Sequence, residues 1–222
     1  MNPKKVLFLG LLILVPLLAF LFLKNFGTNH YNLRYYFPQV DDDGNAVVQN
    51  GDTIFEKVPD FKFLAQTGKE ISQRDLDGKI YVANFFFTSC QGICKQMSTQ
   101  MTRVQDKFRN DPSVKIVSYT VDPERDSVEA LQQYADMYNA NPDKWYFLTG
   151  AKKEIYDLAQ HGYFLPVQEA PDGTVDFVHS EKFILVDKDK HVRGIYDGTD
   201  EKEVNRLITE IVVLKHAYKN EK

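Results

Sequence analysis

The pattern of apolar and polar positions separates an apolar segment at the N-terminus from a longer region in which apolar runs alternate with amphipathic stretches. The runs are rich in β-branched and aromatic residues and end at turn residues, which is typical of buried strands. They occupy residues 79–87, 114–121, 145–148, 182–186 and 192–196.

Between these runs, apolar residues recur at the spacing of an α-helix. This spacing predicts helices at residues 90–109, 128–138, 152–161 and 200–217. Strands and helices that alternate in this order predict an α/β fold, in which helices cover both faces of a mixed sheet.

The N-terminal apolar segment runs from Val6 to Leu23 without a charged residue, and lysines flank it on both sides. As a helix it would span roughly 27 Å, close to the hydrocarbon thickness of a bilayer. A cleaved signal peptide usually has a shorter apolar core followed by a small-x-small cleavage site, which this chain lacks. No cysteine directly follows the segment, so lipoprotein processing is excluded. We therefore favour an uncleaved transmembrane helix over a cleaved signal peptide.

These patterns divide the chain into a membrane anchor at residues 1–24, a juxtamembrane tether at 25–52 and one domain at 53–218. The basic N-terminus favours a cytoplasmic start, which places the domain on the extracytoplasmic side. The segment lacks the Arg- and Ser-rich amphipathic pattern of an organelle transit peptide. We therefore expect a single-pass protein of a bacterial inner membrane with its domain in the periplasm.

The net charge of −4 and the lack of any basic cluster exclude nucleic acid as the partner, so a protein or a small ion is expected. Candidate chemistry lies in the two cysteines, Cys90 and Cys94, which follow the apolar run at 79–87. If the helix begins near Cys90, residues at i and i+4 share one of its faces, which suits a common metal ion or a reversible disulfide. A helix N-terminus also favours thiolate over thiol.

A structural disulfide is an alternative, but closing so short a loop contributes only about 2 kcal/mol. Two inert buried cysteines are another alternative. Met97 and Met101 continue the face of Cys90 and Cys94, and core packing explains them better than a role as thioether ligands.

Two further side chains, His179 and Asp122, are candidate site residues because of their positions, and Asp126 is given a structural role. His179 directly precedes the run at 182–186, after a long polar loop that could bring its imidazole over the cysteines. Asp122 follows the end of the run at 114–121, where sites in open α/β sheets collect, although it also suits the turn before a proline. Asp126, with a glutamate three residues later, predicts an N-terminal helix cap.

Three motifs resemble, in their order, those of the Sco/SenC family of membrane-anchored, thioredoxin-like proteins that handle copper for cytochrome oxidase assembly. The motifs are Phe-Phe-Thr-Ser-Cys-Gln-Gly-Ile-Cys at residues 86–94, Thr-Val-Asp-Pro-Glu-Arg-Asp-Ser at 120–127, and His-Ser at 179–180 with Phe-Ile-Leu-Val-Asp at 183–187. The resemblance extends over residues 59–214.

This resemblance implies a thioredoxin-like fold in which Cys90, Cys94 and His179 bind copper. Two positions depart from the family pattern: Lys95 stands where proline usually follows the second cysteine, and Val178 stands where aspartate often precedes the histidine. The positive charge of Lys95 would favour thiolate in the neighbouring cysteines, but a solvated helix position is the better explanation of this residue from sequence.

The resulting hypothesis is a metallochaperone that delivers copper, or reducing equivalents for cysteines, to the copper-binding subunit of a cytochrome oxidase or another exported cuproprotein. Two thiolates and an imidazole form a soft donor set that prefers copper, whereas a structural zinc site normally needs four ligands. The alternative is a membrane-anchored thiol-disulfide oxidoreductase with Cys90 and Cys94 as its redox pair and copper incidental. A peroxiredoxin-like peroxidase is a third possibility.

Overall fold

The structure, a computed structural model, describes residues 3–26, 33–169, 175–177 and 180–220. The chain divides into two compact units, Met1–Asn32 and Leu33–Lys222. Helix α1 (Pro3–Phe26) forms the first unit, and its stretch Pro3–Phe22 has a mean hydropathy of 2.6 with none of it buried. Its length and composition are sufficient to cross a membrane, a property that signal sequences near an N-terminus share.

The described part of the second unit contains eleven strands. They are β1 (Val48–Gln49), β2 (Asp52–Thr53), β3 (Lys62–Ala65), β4 (Glu70–Ser72), β5 (Ile80–Phe86), β6 (Val114–Thr120), β7 (Trp145–Thr149), β8 (Val167–Glu169), β9 (Val175–Phe177), β10 (Lys182–Val186) and β11 (Val192–Asp197). Seven of them form one sheet in the order β11-β10-β5-β6-β7-β3-β4, while β1 pairs with β2 and β8 with β9. The central strands β5, β6 and β7 are parallel, and the other pairs are antiparallel.

Helices lie on both faces of this sheet. They are α2 (Ile93–Lys107), α3 (Val128–Met137), α4 (Lys152–Asp157), which continues into a π-helical turn at Leu158–Gly162, and α5 (Glu201–Asn220), with a 3₁₀ turn at Gln73–Leu76. One core contains residues of α2, α3 and α5, and the other contains residues of α4 and the two turns. Alternate residues of a strand point to opposite faces, so Val82 packs in the first core and Tyr81 in the second.

The predicted α/β fold and the five predicted strands are therefore confirmed, with small shifts of their ends. The predicted helices also form, but α2 begins at Ile93 and not near Cys90. Gly92 explains this difference, because its backbone at φ −117° and ψ −104° is not helical and delays the start of the helix.

Residues 33–35 are held on the sheet by a buried ion pair. The side chains of Arg193 and Asp187 are almost fully buried, and Arg193 Nη1 donates to Asp187 Oδ2 at 2.8 Å. Arg193 also donates to the carbonyl oxygens of Leu33 and Arg34 and lies 3.8 Å from the centre of the Tyr35 ring. Residues 33–52, which the sequence assigns to a tether, thus belong to the second compact unit.

Replacing Arg193 with alanine tests the importance of this pair. The change leaves the Asp187 carboxylate buried without its ion-pair partner, so we expect the free energy of unfolding to fall by about 3–5 kcal/mol. Urea unfolding followed by the fluorescence of Trp145, the single tryptophan, measures this change.

The matched control is Lys62→Ala, which removes an equally short ion pair of 2.8 Å with Glu70 at which both side chains are more than half exposed. An exposed pair contributes less than about 1 kcal/mol. Similar losses of stability in the two variants would contradict the importance of the buried pair.

Candidate functional site

The candidate site lies at the edge of the sheet where β5 and β6 end. These strands are parallel and in register up to the pair Phe86 and Thr120, so the chain leaves both strands on the same side. The amide of Val121 donates to the Phe86 carbonyl at 2.8 Å, which extends the pairing by one bond. The loop after β5 contains Cys90, and the first turn of α2 contains Cys94.

The structure brings together Cys90 and Cys94, the two cysteines predicted to form the site, as free thiols. Cys90 is 9% exposed and Cys94 4% exposed, and the two thiols are close enough for each to shift the pKa of the other. The sequence predicted that both sulfurs would lie on one face of a helix that begins near Cys90. Because α2 begins at Ile93, the bend of the chain at Gly92 brings the sulfurs together instead. The pair therefore depends on the conformation of the loop.

The two thiols differ in acidity. Burial raises the pKa of Cys90, but the Cys94 thiol, the backbone amides of Cys94 and Gly92, and the charge of Lys95 outweigh burial, so the net pKa is lowered. Burial and the hydrogen bond with Cys90 raise the pKa of Cys94 to about 12. Cys90 is therefore the thiol that ionises first, and Lys95 acts in the predicted direction.

The remaining candidate ligand, His179, lies outside the described residues, as does Val178. The next residue, Ser180, lines a cavity together with Cys94. The chain next to His179 therefore reaches the cysteine site. Within the residues that the structure describes, no cluster of three or more His, Cys, Asp or Glu side chains could hold a metal.

The cavity beside Cys94 has a volume of about 220 Å³. Its lining is largely apolar, with a few polar groups; it consists of Phe85, Phe86, Phe87, Ile93, Cys94, Met97, Val121, Asp122, Lys152, Tyr156 and Ser180. Met97 is 1% exposed, which agrees with a role in core packing. Asp122 lines the cavity and also lies 3.6 Å from Arg125 in an ion pair. It follows β6, which ends at Thr120, and its carbonyl accepts from the amides of Arg125 and Asp126, so its predicted strand-end position and its predicted turn role are both observed.

Asp126 has a role that the sequence did not predict. The N-terminal cap of α3 is Ser127, whose hydroxyl accepts from the Ala130 amide at 3.3 Å. The Asp126 side chain is fully buried and accepts hydrogen bonds from Thr88 and Thr120. The cap prediction is thus wrong by one residue, because the carboxylate binds a loop that is 38 residues distant in sequence.

The family model and the related proteins that match this chain agree on one family. Residues 50–213 match the family model described as SCO1/SenC. The SCO1 protein homolog of Bacillus subtilis (strain 168) is 33% identical over 162 residues, which cover 72% of this chain and 83% of that protein.

Solved structures also resemble this chain. BsSco, described as a member of the Sco family of cytochrome c oxidase assembly proteins with a disulfide switch, has a TM-score of 0.61 and 34% identity, covering 70% of this chain and 91% of its own. Arabidopsis thaliana ScoI with copper bound has a TM-score of 0.58 and 26% identity, covering 71% and 99%. These similarities confirm the thioredoxin-like α/β fold.

The difference in acidity predicts the order in which the thiols react. With limiting iodoacetamide near pH 7.5, we expect the reduced protein to be alkylated first at Cys90, because the thiolate is the reactive form. Cys94→Ala should slow this reaction, since it removes a hydrogen bond that stabilises the Cys90 thiolate. Peptide mass spectrometry at increasing reaction times measures both rates.

The same protein unfolded in urea is the control, because both thiols are then solvated and should react at similar rates. Preferential alkylation of Cys94 in the folded protein would show that the assignment of the two thiols is reversed.

Proposed function

We propose, because this chain belongs to the SCO1/SenC family, that it binds copper through Cys90, Cys94 and His179 and delivers it during assembly of a cytochrome oxidase. The supporting observation is the pair of buried free thiols at the edge of the sheet, each of which shifts the pKa of the other, beside a cavity that Ser180 also lines. In this proposal, copper is the ion that the protein transfers to a partner and not a permanently bound cofactor.

The chemistry of the donors fits copper. Two thiols that are close enough to shift each other's pKa can bind one soft ion without a large movement of the chain. With the imidazole of His179 the set contains three protein ligands, which leaves a position through which a partner can remove the ion. The whole chain has two cysteines, so it lacks the thiols for a four-cysteine zinc site.

Relatives support the assembly role. BsSco is described as belonging to a family of cytochrome c oxidase assembly proteins, and Arabidopsis ScoI has been solved with copper bound. We propose that the partner here is the copper-binding subunit of such an oxidase, or another exported cuproprotein. Helix α1 would anchor the protein in a bacterial inner membrane, with the domain on the periplasmic side.

The acidity of the thiols also favours a second candidate function, the reduction of a disulfide in the partner. The Cys90 thiolate would attack one sulfur of that disulfide, and the partner's other sulfur would leave as a thiolate. Cys94, after losing its proton, would then attack the Cys90 sulfur and release the second partner thiol. The partner disulfide gains two electrons and the Cys90–Cys94 pair becomes a disulfide, which removes both sulfur ligands for copper.

Variants of the three proposed ligands test copper binding. Cys90→Ala, Cys94→Ala and His179→Ala should each weaken copper affinity by more than about 100-fold, since even the loss of a residue that supports a ligand costs 10–100-fold. Titration of the reduced protein with copper, followed by the sulfur-to-copper charge-transfer absorption, measures the affinity. His179→Ala should leave the disulfide exchange of the two thiols intact.

His161→Ala is the matched control, because this exposed imidazole lies next to the carbonyl of Asp157 on its own helix, 3.2 Å away, and lies outside the cavity of Cys94. Wild-type affinity in His179→Ala would remove the imidazole from the site and would favour the oxidoreductase alternative.

The membrane anchor has its own test. We expect the mature protein to be recovered in the membrane fraction with the mass of the uncleaved chain, because α1 is long and apolar enough to remain in the bilayer. Intact-mass spectrometry after carbonate extraction measures this. A soluble product without residues 1–24 would identify a cleaved signal peptide.

A further inference from the structure

We propose that Asp126 is a positioning residue whose buried carboxylate holds the loop of Cys90 against the end of β6 and so keeps the two sulfurs together. This inference deepens the proposed function. Its test by copper affinity rests on the proposal that the protein binds copper. Its measurement of disulfide formation requires only the two cysteines.

The contacts of Asp126 join the two loops that leave the edge of the sheet. Its Oδ2 atom accepts from the Thr88 amide at 3.0 Å and from the Thr120 hydroxyl at 2.5 Å, and its Oδ1 atom accepts from the Thr88 hydroxyl. Thr88 lies two residues before Cys90, and Thr120 is the last residue of β6. One side chain therefore ties the start of the dithiol loop to the neighbouring strand.

Two of the hydrogen bonds within the rest of the dithiol loop are long, although Gln91 Oε1 also accepts from Lys95 Nζ at 2.9 Å. The Cys90 amide lies 3.3 Å from the Phe87 carbonyl, and Gln91 Nε2 lies 3.4 Å from the Ser89 carbonyl, which are long hydrogen bonds. Gly92 adds conformational freedom before α2 begins. Fixing Thr88 at the entrance of this segment thus limits where the Cys90 sulfur can lie.

The number of donors explains why a carboxylic acid side chain occupies this position. Three neutral donors converge on it, and a carboxylate can accept from all of them at once. Burying such a group is costly without partners, and the N-terminus of α3, which begins at Val128, partly offsets that cost through its dipole.

Replacing Asp126 with asparagine distinguishes the effect of its hydrogen bonds from the effect of its negative charge. In Asp126→Asn, the amide oxygen can replace Oδ2 and accept from the Thr88 amide and the Thr120 hydroxyl, while the NH₂ group donates to the Thr88 hydroxyl, which can also accept. This variant therefore retains the geometry and loses the negative charge. Asp126→Ala loses both, and Thr88→Val loses one of the three hydrogen bonds.

The experiment measures two properties of the full-length reduced protein and its variants. The first is the equilibrium constant for forming the Cys90–Cys94 disulfide in glutathione buffers, and the second is copper affinity with its charge-transfer spectrum. In Asp126→Ala we expect copper affinity to fall about 10–100-fold, with an altered spectrum, and the disulfide equilibrium constant to fall as well. Asp126→Asn should restore both properties to near the wild-type values.

Thr88→Val should have a smaller effect in the same direction. Adding it to Asp126→Ala should cost nothing further, because both changes remove the same contact. The matched control is Asp111→Ala: this carboxylate also accepts from a backbone amide and a hydroxyl, both of Ser113, but lies before the start of β6, at the opposite end of the strand. It should leave both site properties unchanged.

A folded Asp126→Ala variant with wild-type values of both properties would overturn the inference. If Asp126→Asn shows the same defect as Asp126→Ala, charge and not position is responsible, and the inference also fails. If Asp126→Ala does not fold, the other two variants test the inference. A smaller defect in Thr88→Val with near wild-type values in Asp126→Asn supports it, and wild-type values in Thr88→Val or a defect in Asp126→Asn overturns it. Absence of copper binding in the wild type, with a disulfide equilibrium that still depends on Asp126, would refute the proposed function and support the positioning role.

Discussion

The site depends on the parallel pairing of β5 with β6. Parallel strands deliver the chain to the same edge of a sheet, and the register of these two strands ends with Phe86 opposite Thr120. The loop of Cys90 and the loop of Asp126 therefore start side by side. Both strands are buried on both faces, so a slip in register would move apolar side chains out of two cores at once.

From that edge the chemistry follows in two steps. A bent loop, and not a continuous helix, brings a cysteine before α2 to the cysteine in its first turn. Burial raises the pKa of Cys94, while the Cys94 thiol, two backbone amides and Lys95 together lower the pKa of Cys90, so the two thiols become unequal. The same two sulfurs would serve copper binding and disulfide exchange, so the oxidised protein cannot bind copper through them and the two activities exclude each other in time.

Local patterns predicted most of the fold, since strand and helix periodicity and the positions of the cysteines are properties of neighbouring residues. Contacts between distant residues were not predictable in this way. Asp126 looked like a helix cap because the residues around it suit one, yet its partner Thr88 is 38 positions away in sequence and reaches it only through the fold. Residues 33–35 looked like part of a tether because their contacts with Arg193 span about 160 positions.

X-ray absorption spectroscopy of the copper-loaded, full-length protein tests the central claim most directly, because it identifies the atoms bound to the metal. We predict two sulfur neighbours and one imidazole nitrogen, from Cys90, Cys94 and His179. A spectrum with fewer than two sulfur neighbours, or without the imidazole contribution, would contradict it.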